Sequence, residues 1–370
     1  MSEFIRALIS GYYGYGNAGD EAILGGLVAG FRQLDPSLEL TVLSSNPSAT
    51  MAEHDIVAVP RHFASVRRNI PLCNLVVSGG GGLLQDTTSW RSPLYYLGIM
   101  WLGRKYHRPV VCVGQGIGPL RRPLSRWLTR RVLAQVDAIA VRDELSRQAL
   151  IGLGLGRKPE VTADLSFLLR PPSEDEMFGV RGEVGLDPDV PAAAIALRPL
   201  PGAFEDIRLA ERLGAMIGES CHRLNVTPVL IPMQSAVDVE FARSTATAVP
   251  ERDAVIVPPL PTRKLLALIA SCQITIAMRL HALIFAVLGG KPLVAISYDP
   301  KVDGLMQQLQ LGSGVPLDRI EKGGIADAIM RVWDTRDAMS CHIVEQMDSL
   351  RAAALRNIEI ALSAIRQRPT

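Results

Sequence analysis

The chain has 370 residues, which at roughly 100–200 residues per domain points to two domains. Apolar residues make up 48% and charged residues 21%, which supplies full cores and excludes a disordered chain. The formal net charge of +2 lacks the basic excess of nucleic-acid-binding proteins, and aromatics at 5% speak against an aromatic-rich β-sandwich.

In chain order, strand-like runs fall at residues 5–10, 39–43, 56–59, 75–78, 110–113 and 138–141. Helical patterns lie between several of them, as at 21–33 and 125–135. This alternation implies a parallel, doubly wound sheet. Residues 170–191, rich in Pro, Gly and acid, read as a linker. A second alternation follows, with strands at 193–197, 227–231, 254–257, 273–277 and 293–296. Its helices are at 205–224, 237–247, 263–270 and 281–288. The stretch 265–278 is apolar but shorter than the ~20 residues of a spanning helix, and Arg279 follows it at once. It reads as a buried helix and strand. A long helical pattern, 336–368, closes the chain.

The expected fold is α/β, with two Rossmann-like domains facing a central cleft. The first domain is 1–170, the linker 171–191 and the second domain 192–335. A C-terminal helix, 336–370, is free to pack back on the first domain. The five cysteines Cys73, Cys112, Cys221, Cys272 and Cys341 contain no CxxC pair, which argues against structural zinc and a disulfide framework. Cys112 and Cys272 sit in apolar runs and read as core. The N-terminus carries an early Glu3 and too short an apolar run for a signal peptide, so a cytoplasmic location is expected.

In sheets of this kind ligands bind beyond the carboxyl ends of the strands. The first strand runs into GYYGYGNAGDEAIL, 11–24, a Gly-rich loop opening a helix from about Asp20. Asn17 lies in this loop. Asp20 either caps the helix or is aimed at a substrate hydroxyl. The fourth strand ends in SGGGGLLQDTTS, 78–89. A run such as Gly80 and Gly81 implies a ligand or another backbone passing very close. The fifth ends in GQGIGP, which contributes Gln115. The sixth ends in Arg142 of AVRDELS. This arginine is either paired with Asp143 or Glu144, or set to receive an anion bidentately.

In the second half, QITIA is followed by MRLHALIFA. Arg279 and His281 stand where a strand hands over to a helix whose positive end favours anions. GGKPLVAISYDPKVDGL, 289–305, supplies Lys301, either an anion contact or a solvated lysine. Residues 121–131, RRPLSRWLTRR, place Arg122, Arg126 and Arg130 on one helix face. That face is either plainly solvated or a docking surface for anionic headgroups.

Taken together, GYGNAGDEAIL, GGGGLLQD, GQGIGP, VRDELS, DLSF at Asp164–Phe167, MRLHALIFA and SYDPKVDGL resemble the polysaccharide pyruvyl transferase family. They are most similar to its CsaB branch, which acts on secondary cell-wall polysaccharide in S-layer anchoring. The motifs run in the family's order from Gly14 to Leu305. Met278 departs from the pattern, standing where a small or polar residue is expected. The resemblance implies a fold similar to GT-B glycosyltransferases and phosphoenolpyruvate as donor. It implies transfer of a ketal-linked pyruvate onto hydroxyls of an N-acetylmannosamine unit on a lipid-linked acceptor. It also makes Arg142 and His281 similar to the family's donor-binding and catalytic Arg and His, with Arg279 preceding.

The chemistry of such a transfer fits these residue types. Phosphoenolpyruvate carries a carboxylate and a phosphate, so arginines and a helix N-terminus are natural receptors. Protonating its methylene carbon makes the neighbouring carbon electrophilic, and His281 is the candidate acid. Arg142, Arg279 and Lys301 would meet the anion. Asn17, Gly80, Gly81 and Gln115 are further substrate contacts. Asp20, or less favourably Asp86, would orient or deprotonate an acceptor hydroxyl. No metal and no cofactor beyond the co-substrate is implied, and the expected setting is the cytoplasmic face of the membrane. The competing reading is a GT-B glycosyltransferase using a nucleotide sugar.

Overall fold

The structure is a computed structural model that describes residues 5–366 apart from 88, 201–205, 250–253, 318 and 320–322. The chain is α/β and forms two compact units, each built on its own parallel sheet. One unit gathers the chain up to Tyr15, Asp20–Leu169 and the residues from Ser349 onward. The other holds Gly16–Gly19 and Arg170–Asp348.

The first unit contains strands β1 (Arg6–Ser10), β2 (Glu39–Ser44), β3 (Val57–Pro60), β4 (Leu75–Ser78), β5 (Gly81–Leu84), β6 (Val110–Ile117), β7 (Ala138–Val141) and β8 (Glu160–Val161). Their order is β3-β2-β1-β4-β6-β7-β8, with β5 paired to β6. The helices are α1 (Ala18–Leu34), which starts among residues of the second unit, α2 (Pro47–His54), α3 (Phe63–Asn69), α4 (Arg91–Lys105), α5 (Pro123–Leu133) and α6 (Glu144–Gly152). Side chains alternate across a strand, so a strand covered on both faces must be apolar throughout. Leu8, Val76 and Cys112 face one way, onto Tyr96 and Met100 of α4 and Leu133 of α5. Ile9, Val77 and Val111 face the other, onto Ile23, Leu27 and Phe31 of α1.

The second unit begins with α7 (Glu174–Glu183). It continues through β9 (Ala192–Ala196), α8 (Asp206–Leu224), β10 (Thr227–Leu230), α9 (Ser235–Thr247), β11 (Val255–Ile256), α10 (Thr262–Ala270), β12 (Ile274–Ala277), α11 (Leu280–Leu288), β13 (Leu293–Ser297), α12 (Pro300–Gln308), β14 (Val315–Pro316) and α13 (Gly324–Asp334). Its sheet order is β11-β10-β9-β12-β13-β14. The apolar stretch 265–278 resolves into most of α10 followed by β12, both buried. The last helix, α14 (Arg336–Arg366), leaves this unit at Asp348 and lays Ile358 and Leu362 on the α1 side of the first sheet. Within it, fully buried Asn357 accepts from Gly114 N–H at 2.7 Å and Thr162 Oγ at 2.9 Å, and donates to the Ala163 carbonyl at 3.1 Å.

Two expectations change. The stretch 171–191 is not a bare linker, because Ser173 and Glu176 form a reciprocal capping box that starts α7. Arg263 at the start of α10 then grips both Glu176 oxygens, at 2.8 and 2.5 Å. And the second half of the glycine run opens a strand, β5, which lacks the β-branched residues that would announce one.

Candidate active site

In both sheets the strand order reverses, between β1 and β4 in one and between β9 and β12 in the other. Such switch points are where ligands bind in doubly wound sheets. In the second unit Ala196 of β9 lies opposite Ala277 of β12, so Arg198 and Arg279 each stand two residues past the same pair. Arg279 precedes α11, whose N-terminal end carries the positive dipole, and His281 is in its first turn. The neighbouring strand β13 leads to Tyr298 and Lys301. Arg198 lies over the Tyr298 ring at 5.3 Å and Lys301 at 5.5 Å, so one aromatic ring collects two cations.

The partners of these cations differ. Arg279 is ion-paired with Asp238, whose side chain is fully buried. The other Asp238 oxygen accepts from Gln234 N–H at 3.0 Å, so α9 fixes the carboxylate that fixes the arginine. Lys301 sits 3.4 Å from Asp299, which also caps α12. Arg198 has no ion pair among the described residues, and bonds the Tyr298 hydroxyl at 3.2 Å.

Residues 16–19 belong to this same unit. Ala18 N–H donates to the Met233 carbonyl at 2.9 Å, and Asn17 bridges Gln234. Asn17 Oδ1 accepts from Gly19 N–H at 3.0 Å, so its side chain closes the turn into α1. Gly19 lies against His281: a methyl group placed on Gly19 would stand 2.2 Å from Nδ1 of the imidazole. The second glycine of GNAGD, Gly19, therefore leaves room for the histidine of MRLHA. The helix begins at Ala18, two residues before the expected start, which puts Asp20 inside its first turn rather than at its cap.

In the first unit, Asp20 Oδ1 lies beside Gly81, whose φ of +93° strains any other residue and where a methyl group would stand 3.1 Å from that oxygen. Tyr13 and Tyr96 are buried nearby. Burial, and with it the Asp20 charge, raises both phenols above their ordinary value, so they stay protonated. Gly80 accommodates the Gly114 carbonyl, 2.9 Å from where its methyl would be. A close backbone is thus present beside Gly80. Fully buried Gln115 donates to the Gly79 carbonyl at 2.7 Å and to Ser78, bracing the same turn.

Arg142 is buried and ion-paired with Asp143 at 3.2 Å and Asp164 at 3.4 Å, not with Glu144, which pairs with Arg147. Burial pulls its pKa down, but the two carboxylates outweigh that and hold it above the ordinary value. Gly116 leaves room for the guanidinium. The VRDELS and DLSF motifs thus meet at one arginine. Asp86 accepts from the backbone N–H groups of Arg121 and Arg122 at 2.7 and 2.9 Å, which ties both of its oxygens to the loop before α5. Glu21, Glu53 and His54 place ligand-type atoms within 4.8 Å of one another. Glu21 already takes the Gly14 N–H at 2.7 Å and the His54 ring at 3.1 Å, which fastens the Gly-rich loop.

Residues 17–300 match the family model described as polysaccharide pyruvyl transferase. The chain belongs to the polysaccharide pyruvyl transferase family. It is a transferase of polysaccharide biosynthesis. The amylovoran biosynthesis protein AmsJ of Erwinia amylovora is 21% identical over 365 residues, covering 83% of this chain and 86% of that protein. By fold, the chain is similar to Anabaena Alr3699/HepE in complex with UDP-glucose, with TM-score 0.63, 14% identity and 98% of each chain covered. A putative UDP-N-acetylglucosamine 2-epimerase from Listeria monocytogenes matches with TM-score 0.64 and 12% identity over 99% of this chain and 98% of that one. These likenesses establish the GT-B-like pair of Rossmann units.

Two residues of this pyruvyl transferase escaped sequence reading. Arg198 is the first charge after the apolar run 192–197, the same signal that singled out Arg142 and Arg279. Asp238 carries no such signal: it lies 41 positions from Arg279 and only the fold joins them. Among the described residues, no helix is long and apolar enough to cross a membrane.

Proposed function

We propose that this pyruvyl transferase moves pyruvate from phosphoenolpyruvate onto two hydroxyls of one acceptor sugar as a cyclic ketal, releasing phosphate. The observation that carries this reading is the set of groups at the second unit's switch point. Three cations beyond the carboxyl ends of adjacent strands, Arg198, Arg279 and Lys301, accompany an imidazole at a helix N-terminus. A trianionic donor with a carbon to be protonated asks for that set.

In the proposed sequence, His281 as imidazolium gives a proton to the donor's methylene carbon. The adjacent carbon becomes electrophilic and one sugar hydroxyl adds to it. Phosphate departs with its bridging oxygen, stabilised by Arg198 and Arg279. The second hydroxyl then closes the ketal. The methyl proton comes from His281, the first hydroxyl's proton passes to Asp20 and the second to the departing phosphate; Asp20 then loses its proton to solvent and the imidazole regains one from it, so both groups are restored. Asp20 orients the acceptor hydroxyl and receives its proton. Arg142 acts as the brace between Asp143 and Asp164. The acceptor we infer is a sugar of a lipid-linked cell-wall precursor, with N-acetylmannosamine the first to test.

The test is incubation of the full chain with phosphoenolpyruvate and a synthetic lipid-linked ManNAc–GlcNAc acceptor. Phosphate release with a product heavier by one pyruvate ketal is expected, and absent on His281→Ala. Hexose transfer from a nucleotide sugar, with no phosphate released from phosphoenolpyruvate, would replace this reading with glycosyl transfer.

A further inference from the structure

We propose that the solvent-facing side of α4 and α5 is a docking surface for an anionic lipid bilayer. The charge distribution comes first. Between Asp86 and Asp137 the sequence has no Asp or Glu but nine Lys and Arg, in a chain of net charge only +2. The rest of the chain is therefore net acidic, and the basic excess belongs to this one segment. The same segment holds three of the four tryptophans, Trp90, Trp101 and Trp127. They are 45%, 50% and 58% exposed, and Leu124 is 57% exposed.

The fold puts these residues on one side. α4 and α5 pack beside each other and cover the same face of the first sheet, with Tyr96, Met100 and Leu133 turned inward. Their opposite faces are what solvent meets. On α4 that face carries Arg91, Gly98, Trp101 and Lys105 at helical spacing. On α5 it carries Leu124, Trp127 and Arg131, flanked by Arg126 and Arg130. Arg91 lies over Trp90 at 5.5 Å and Lys105 over Trp101 at 5.3 Å, so ring and cation sit together.

Indole rings interleaved with cations match the headgroup layer of a bilayer, where Trp is favoured and anionic phosphates are at hand. Arg104 is held by Asp137 at 2.7 Å, but among the described residues no carboxylate reaches Arg126, Arg130 or Arg131. A second copy of this chain is the poorer occupant, since a self-complementary interface would press this basic face onto itself. That a lipid-linked acceptor would be found at such a surface rests on the proposed function; the docking itself does not.

The test uses the full chain and vesicles of phosphatidylcholine with or without phosphatidylglycerol, at low and high salt. Co-sedimentation with anionic vesicles alone is expected, weakening with salt, with a blue shift of tryptophan emission. Each cation contributes about fivefold near an anionic surface, so Arg126→Ala/Arg130→Ala/Arg131→Ala should reduce partitioning about a hundredfold. Trp101→Ala/Trp127→Ala should lose both binding and most of the blue shift. Both variants should melt like wild type and release phosphate from phosphoenolpyruvate at the wild-type rate with a water-soluble acceptor, which separates this inference from the catalytic one. Equal binding to neutral vesicles, or binding unchanged in both variants, would overturn it. So would a lipid-free dimer, or retention on RNA without vesicle binding, that the same substitutions abolish.

Discussion

Gly19→Ala is the sharpest perturbation the structure offers, because it adds one methyl group and removes nothing. Gly19 is the second residue of α1, a helical position where Ala is favoured over Gly by about 1 kcal/mol. Local propensity therefore predicts a slightly more stable protein. The new methyl would stand 2.2 Å from His281 Nδ1, whereas real contacts of this kind are seldom under 3.4 Å. The imidazole must then retreat by about 1.2 Å, through its own side-chain torsions, since α11 is packed on all its apolar residues. A displacement of about 1 Å at a reacting group costs roughly a hundredfold in rate. The expected result is a melting temperature at or slightly above wild type with kcat down about a hundredfold. Loss of general acid catalysis in His281→Ala should cost ~10²–10⁴-fold. In that background Gly19→Ala should cost nothing more, because its target is gone. Thermal melts and phosphate release on the four proteins complete the cycle. Activity within threefold of wild type for Gly19→Ala, or an undiminished further loss in the His281→Ala background, would refute the reasoning.

Other outcomes follow from the same contacts. Asn357→Leu strands the Gly114 N–H and the Ala163 carbonyl, while the Thr162 hydroxyl keeps the Val141 carbonyl; at about 1–3 kcal/mol for each buried group left unpaired, urea unfolding should show a few kcal/mol lost. Arg142→Lys should act on stability, because two buried carboxylates lose their fork, whereas Arg279→Lys should raise the KM for phosphoenolpyruvate; equal effects on KM would reject the division. The Arg263 fork, with help from the Ser173 N–H and Arg170, holds Glu176 well below the usual carboxylate range. That contribution is present above the ordinary Glu pKa and disappears as pH falls toward the depressed value, so wild type should lose stability on acidification that Arg263→Met does not, by less than about 1 kcal/mol for a pair this exposed. Turnover should survive EDTA; loss restored by magnesium would instead favour a nucleotide-sugar reaction.

Much of the fold was legible because buried parallel strands leave little choice of sequence. The runs at 75–78 and 138–141 coincide with β4 and β7, and most of the other expected strands and helices fall within one or two residues of observed ones. What escaped had no local signal. β5 starts with two glycines and β8 and β14 are two residues long, so neither propensity nor periodicity marks them. The stretch 171–191 looked like a linker because Pro and Gly bracket α7, and the Arg263 that anchors it is 87 positions from Glu176. At the site, Arg279 and His281 were readable from their place after a strand. The contact of His281 with Gly19 was not, since it joins residues from opposite ends of the motif series.

The two switch points share a strand topology but differ in charge, and on the proposed function that difference favours one of them for the donor. In the first unit the arginine after β7 is held by two buried carboxylates, a group with net charge −1, and Asp20 lies after β1 among protonated phenols. Arg61, over the Tyr15, Tyr95 and Tyr96 rings of the same unit, offsets part of that negative charge. In the second unit two carboxylates, Asp238 and Asp299, face three cations and a helix N-terminus, leaving net positive charge. An anion is stabilised by that surplus and not by the number of arginines alone. On the proposed function the donor is therefore best received at the second unit's switch point, although Arg142 and Arg279 look like arginines of the same kind in the sequence.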